Sequence, residues 1–170
     1  VFIESYRSGY TAQKKMLKNA RDRFLAEGFD VSGCVTPTKL GKISTGYGMV
    51  SCYTNEGTQD SIQNTFEFTA SIFDQIMIDD FYFTDCECEE CQKARGDRSW
   101  EDYRSELMTQ ISRKRVLEPA KSVNPDVKLI IKYPQWYDKF HNRGYAVLRE
   151  TALFDKIWVG TETRDYDDER

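Results

Sequence analysis

The chain has 170 residues, enough for one substantial core and normally a single domain, here 1–170. Charged residues make up 31%, hydrophobic ones 39% and aromatics 14%, the balance of a globular protein rather than a disordered one. A net charge of -4 with no lysine–arginine cluster argues against a nucleic-acid partner, and no run approaches the ~18 apolar residues of a membrane span.

The first residues, Val1-Phe2-Ile3-Glu4, read as a strand, with neither an initiator Met nor a signal peptide. That is the start expected of a processed protein or of an excerpt. Further strands are predicted at 30–36, 48–54, 75–80, 128–133 and 156–161, the first running over 1–6. Between the first two, Met16, Leu17, Ala20, Phe24 and Leu25 share one helical stripe over 11–28, and Gly28 follows as a stop. The stretch 37–47 reads as loop. Ile62, Phe66, Ala70 and Phe73 then recur at helical spacing behind Asp60, and Ser99 with Asp102 forms a capping box. That box opens a long helix through Trp100, Tyr103, Leu107 and Ile111 toward Pro119 and Pro125. A last helix is expected at about 143–153.

Strands alternating with helices at this spacing predict a parallel sheet with crossover helices. No glycine-rich phosphate loop follows a strand: Gly46-Tyr47-Gly48 precedes one instead of opening a helix. The expected fold is therefore an α/β barrel of the (β/α)8 TIM type, with about six of its eight units in this chain.

The run from Phe73 to Asp80 aligns with the run from Phe154 to Thr161, each passing from a helix end through an Asp into a strand. An αβ turn alone would explain the echo. Its use is in register, because side chains alternate along a strand. Counted this way, Glu162 shares a face with Gly160, the counterpart of Asp79.

Five cysteines cannot pair completely, and Cys86-x-Cys88-x-x-Cys91 has the spacing of metal ligands. Cys52, at the end of the preceding predicted strand, is the natural fourth member of a closed, structural zinc site. Cys34, between Val31 and Val35, reads as a buried thiol. His141 is the only histidine, too little imidazole for a catalytic zinc, and reads as a surface residue.

Asp79 and Asp80 close an apolar strand, and alternation lets only one face the barrel mouth. With Ile76 and Ile78 packing outward, Asp79 faces in. Glu4, Lys132 and Glu162 end other strands at the same face. Aromatics gather there too, among them Tyr6, Tyr82, Tyr133 and Trp136, and flat rings beside carboxylates suit sugar rings.

The run FDQIMIDDFYF resembles the fourth barrel strand of several glycoside-hydrolase-like families, whose motif is roughly D-G-[IF]-x-[LF]-D-[DRA]-[YF]. Asp74, Ile76, Ile78, Asp79 and Phe81 match, and Gln75 replaces the glycine. Cys52 with the CxCxxC triplet is similar to the zinc cluster of family 42 β-galactosidases. That family carries Asn-Glu on its fourth strand where Asp79-Asp80 stands here. The resemblance implies a barrel glycoside hydrolase acting on an oligo- or polysaccharide, with Asp79 as nucleophile or base and Glu162 as general acid/base. Glu4, Tyr6, Asp80, Tyr82, Lys132, Tyr133 and Trp136 would contact the sugar. In many such barrels one catalytic carboxylate lies on strand seven, which this sequence does not reach. The rival expectation is a non-catalytic, zinc-stabilised barrel that binds carbohydrate through the same aromatics.

Overall fold

Residues 1–134 and 142–160 are described by a computed structural model. In chain order they form β1 (Phe2–Arg7), β2 (Tyr10–Thr11), α1 (Lys14–Ala26), β3 (Ser32–Thr36), α2 (Glu56–Ala70), β4 (Gln75–Ile78), α3 (Glu89–Arg95) and α4 (Trp100–Ile111). After them come a π-helical turn (Ser112–Leu117), α5 (Glu118–Val123), β5 (Lys128–Tyr133), α6 (Val147–Glu150) and β6 (Lys156–Val159). The strands make one sheet in the order β2-β1-β3-β4-β5-β6, parallel except for the β1–β2 hairpin. Parallel strands joined through helices are the expected α/β arrangement.

Alternation gives the sheet two chemically distinct faces. Val35, Ile76, Ile78, Leu129 and Ile131 are fully buried in the core shared with the helices. On the other face Cys34, Met77 and Ile130 cluster with Phe2. The rings of Phe2 and Trp158 meet edge-on across that face at 4.9 Å. First and last parallel strands touch through their inward side chains, so the sheet curls as a barrel segment does.

β3 lies very close to α2. A Cβ on Gly33 would come within 2.7 Å of the Phe73 ring and 2.9 Å of the Thr69 methyl, so glycine is required there. A bulge in β1 also matters. Glu4 pairs with Cys34 but Tyr6 pairs with Val35, leaving Ser5 as the extra residue. Its hydroxyl donates to the Cys34 carbonyl at 3.0 Å and lies 2.8 Å from the Thr69 hydroxyl. The bulge moves Tyr6 to the helix side and Arg7, opposite Thr36, to the inner side.

Several sequence expectations change. The run 48–54 is not a strand. It belongs to an irregular connection with one bridge, Ile43 to Ser51, because Val50, Cys52 and Tyr53 bury themselves as loop anchors. β4 is therefore the third parallel strand counted from β1, not the fourth. The helix behind Asp60 starts earlier, where the Asn55 side chain accepts from the Thr58 N–H. Ser99 caps α4 through the Asp102 N–H, as the capping box predicts. Pro119 lacks the N–H that an α-helix would send back to the Arg115 carbonyl, and the chain passes there through the π-helical turn. Of the α1 stripe only Leu17 is buried. Met16, Phe24 and Leu25 stay exposed among the described residues.

Glu150 on α6 is fully buried. It accepts from the Ser112 hydroxyl at 3.0 Å, which lies 3.0 Å from the Tyr82 hydroxyl. No cation pairs with it among the described residues, and burial pushes its carboxyl up to about 8 against the hydrogen bonds from Ser112 and Ala146. A raised carboxyl holds its proton in the folded chain where the unfolded chain has lost it. Its contribution is full below pH ~4.5 and is lost as pH rises through about 8. Glu150→Gln should accordingly gain melting temperature over the wild type as pH is raised from 5 to 9. An offset that does not change with pH would show that Glu150 does not titrate in this range.

Candidate active site and cysteine centre

Toward the C-terminal ends of the parallel strands, alternation brings polar groups to the inner face in one row. Thr36, at the end of β3, donates its hydroxyl to a Glu4 carboxylate oxygen and lies 3.3 Å from an Asp79 oxygen. The Lys132 ammonium, from β5, lies 3.0 Å from Asp79 Oδ1 and 3.2 Å from Asp80 Oδ1. Arg7, turned inward by the bulge, pairs with Glu4 at 2.9 Å. Burial alone would lower the Lys132 pKa. The hydrogen bond to Asp79, with the charges of Asp79 and Asp80, outweighs it and holds the ammonium above the ordinary lysine range. Below the row, burial and the charges of Asp79 and Glu4 push the Cys34 thiol up to about 12. That leaves it a neutral packing group.

Asp79 thus faces inward among Glu4, Thr36 and Lys132, while Asp80 reaches the same ammonium from a position 6% exposed. Thr36 and Arg7 were missed by sequence reasoning. Thr36 shares parity with Cys34 and could have been found by counting. Arg7 depends on the bulge, which leaves no sequence signal.

Three aromatic assignments are corrected. Tyr6 lies on the helix side of the bulge, its hydroxyl donating to the Thr38 and Lys39 carbonyls at 3.3 and 3.1 Å. Tyr82 is 1% exposed, packed edge-on against Tyr53 and tied to Ser112. Tyr133, also 1% exposed, follows Lys132 on the opposite face of β5, against Tyr145. These three rings build the core behind the row instead of facing a ligand. Trp136, His141 and Glu162 lie outside the described residues.

Phe81, directly after Asp80, has φ +72°, a conformation that bulky L-residues avoid. Its ring stacks at 6.2 Å on Tyr47, from the connection after β3.

The second constellation joins that connection to the loop after β4. Cys52 lies in the irregular stretch and not at a strand end as expected, yet its sulfur is 3.8 Å from that of Cys88 and 3.5 Å from that of Cys91. Cys88 and Cys91 are 3.7 Å apart, and all four sulfurs, Cys86 included, lie within 4.8 Å of one another. They are free thiols within reach of a single metal ion. Around them the Thr54 hydroxyl lies 3.0 Å from Cys91 and the Lys42 ammonium 3.4 Å from Cys88, while Tyr103 and Trp100 of α4 cover the cluster. Hydrogen bonding from Cys91 draws the Cys52 thiol down to about 5, and the same contact, with burial, pushes Cys91 up.

Residues 1–170 match a family model described as "probable glycosyl hydrolase, catalytic domain". The chain belongs to this family. It is 30% identical to an uncharacterized protein of Saccharolobus solfataricus, over 98% of this chain and 32% of that protein. The chain therefore spans about a third of the length of that curated relative. In fold it is similar to the family 53 glycoside hydrolase catalytic domain of Ignisphaera aggregans, with a TM-score of 0.51, 15% identity, and coverage of 94% of this chain and 48% of that one. The fold class agrees with the sequence reading, and the family agrees with it as far as a glycoside-hydrolase-like barrel.

Lys132 is the only cation that the described residues place against both Asp79 and Asp80. Lys132→Met should cost about 3 kcal/mol, the low end for a pair broken by removing one partner, since neither Lys132 nor Asp79 is fully buried. The denaturant midpoint measures this. A loss below about 1 kcal/mol would mean that the pair behaves as a surface contact.

Proposed function

We propose that the chain forms the catalytic core of a glycoside hydrolase that cleaves glycosidic bonds in an oligo- or polysaccharide, with Asp79 as nucleophile or base. The observation that carries the reading is the inward placement of Asp79 at the barrel mouth, hydrogen-bonded by Lys132 at 3.0 Å. A carboxylate held beside an ammonium is suited to stabilise or attack an anomeric carbon on which positive charge develops.

The proton donor in this reading is Glu162. Its assignment rests on the sequence register alone, in which Glu162 follows Gly160, the counterpart of Asp79, by two residues. Glu4, Asp80, Lys132 and Trp136 remain the proposed hydroxyl-binding and stacking groups around the two carboxyls. Separations near 5 Å would make the enzyme retaining, and about 6.5–9.5 Å inverting. Asp79→Asn and Glu162→Gln are each expected to abolish turnover while the melting temperature stays within a few degrees of the wild type. Near-wild-type turnover in either variant removes that residue from the mechanism. Sugar binding that depends on the aromatics, without hydrolysis, would favour a carbohydrate-binding barrel.

The cysteine centre is proposed to hold a structural zinc ion through Cys52, Cys86, Cys88 and Cys91. Sulfurs about 2.3 Å from a tetrahedral zinc lie about 3.8 Å apart. The separations among Cys52, Cys88 and Cys91, 3.8, 3.5 and 3.7 Å, fit that spacing. Four thiolates close the coordination sphere, so the ion would contribute rigidity and no chemistry at the carboxylates. Elemental analysis should find about one zinc per chain in the wild type and a clear deficit in Cys88→Ser. Equal zinc in both proteins would overturn the four-cysteine site.

A further inference from the structure

The connection after β3 carries a feature that neither the carboxylates nor the cysteines use. Tyr47 remains 45% exposed, although one face of its ring lies against Phe81, the planes inclined by 26°. Phe81 is two residues beyond Asp79 and holds its position at φ +72°. Backbone strain of this kind persists only where surrounding contacts impose it. Its effect here is to set a ring beneath Tyr47, in the residue that follows Asp80.

An exposed tyrosine between two glycines would ordinarily wander. This one is tethered. The Asp85 carboxylate accepts from the Tyr47 N–H at 2.8 Å and from the Ser44 hydroxyl at 2.5 Å. Ser44 in turn accepts from the Gly46 N–H at 3.0 Å. Gly46 permits the approach, since a Cβ there would stand 2.6 Å from the Asp85 carboxyl carbon. Asp85 is itself fixed, paired with Arg143 at 3.6 Å and adjacent in sequence to Cys86 of the cysteine centre.

We propose that Tyr47, backed by Phe81 and fixed through Asp85, is the stacking platform for one uncharged pyranosyl unit of the substrate. A pyranose presents axial C–H bonds on one face and hydroxyls at its edge. The flat π face of tyrosine receives the first, and its phenolic edge can bond the second. The unit is uncharged because Asp80, next in sequence to Phe81, and Asp85, bonded to the Tyr47 N–H, would repel an acidic sugar. Pre-positioning matters as much as the ring itself, since a platform already held in place loses little freedom on binding.

The inference rests on the glycoside reading, and the experiment separates the two. Dissociation constants are measured by calorimetry on the full-length protein for four neutral tetraoses, of β-1,4-linked glucose, xylose, mannose and galactose. Turnover of each is followed in parallel. At least one tetraose is expected to bind. Tyr47→Ala and Tyr47→Leu should each weaken that binding about tenfold, and Tyr47→Phe should stay within about twofold. Leu keeps the apolar bulk and loses the flat face, so its fall with Ala identifies stacking. Unchanged affinity in Tyr47→Ala, or no binding of any tetraose by the wild type, overturns the platform. Binding that depends on Tyr47 but brings no hydrolysis sinks the hydrolase assignment and leaves the platform standing.

Discussion

Side-chain alternation along the short, parallel strands sorts their residues between two faces of unlike chemistry. In β4 it sends Ile76 and Ile78 into the helix-packed core and leaves Met77 and Asp79 on the concave face. The same count in β3 and β5 delivers Thr36 and Lys132 beside Asp79. Burial of the aliphatic set holds the register, because a slip by one residue would expose the isoleucines and bury the carboxylate. The polar row is therefore positioned by hydrophobic packing on the far side of the sheet.

Above that frame the chain leaves regular structure, and a different set of forces takes over. The stretches 37–55 and 79–88 contain few backbone ladders, so their polar groups find other partners. Thr84 donates its hydroxyl to the Ser51 carbonyl, Leu40 donates its N–H to the Ser51 hydroxyl, and Lys42 donates its N–H to Thr58. The cysteine centre and Asp85 join the two loops side by side. The barrel mouth is thereby held by sulfur and carboxylate contacts where the sheet below it is held by packing.

Much of this was legible in the sequence, for identifiable reasons. β5 and the inward face of β4 follow from apolar periodicity, and the triplet Cys86, Cys88 and Cys91 follows from spacing, whereas Cys52 joins it from a loop and not from the expected strand end. The cap of α4 needs only Ser99 and Asp102. What escaped has physical causes. The run 48–54 has strand composition because Val50, Cys52 and Tyr53 are buried, and burial without sheet pairing looks the same in one dimension. Tyr82 and Tyr133 lie close in sequence to the charged residues of the mouth, yet both are buried, and alternation turns Tyr133 to the opposite face from Lys132. Arg7 and Tyr6 exchanged faces through a bulge at Ser5 that composition does not mark. Family membership agrees with the resemblance carried by the strand motif, while the individual site residues are placed by geometry alone.

That bulge has a consequence for how the barrel can change over time. A single inserted residue decides whether an arginine or a tyrosine looks into the mouth, with everything downstream in β2 shifted along with it. Loss of one residue between Glu4 and Tyr6 would act as a frameshift in space. It would strip Glu4 of its guanidinium partner and release the loop that Tyr6 holds through the Thr38 and Lys39 carbonyls. A substitution on this strand alters one side chain, whereas a change in its length would rewrite the charge balance of the mouth in one step.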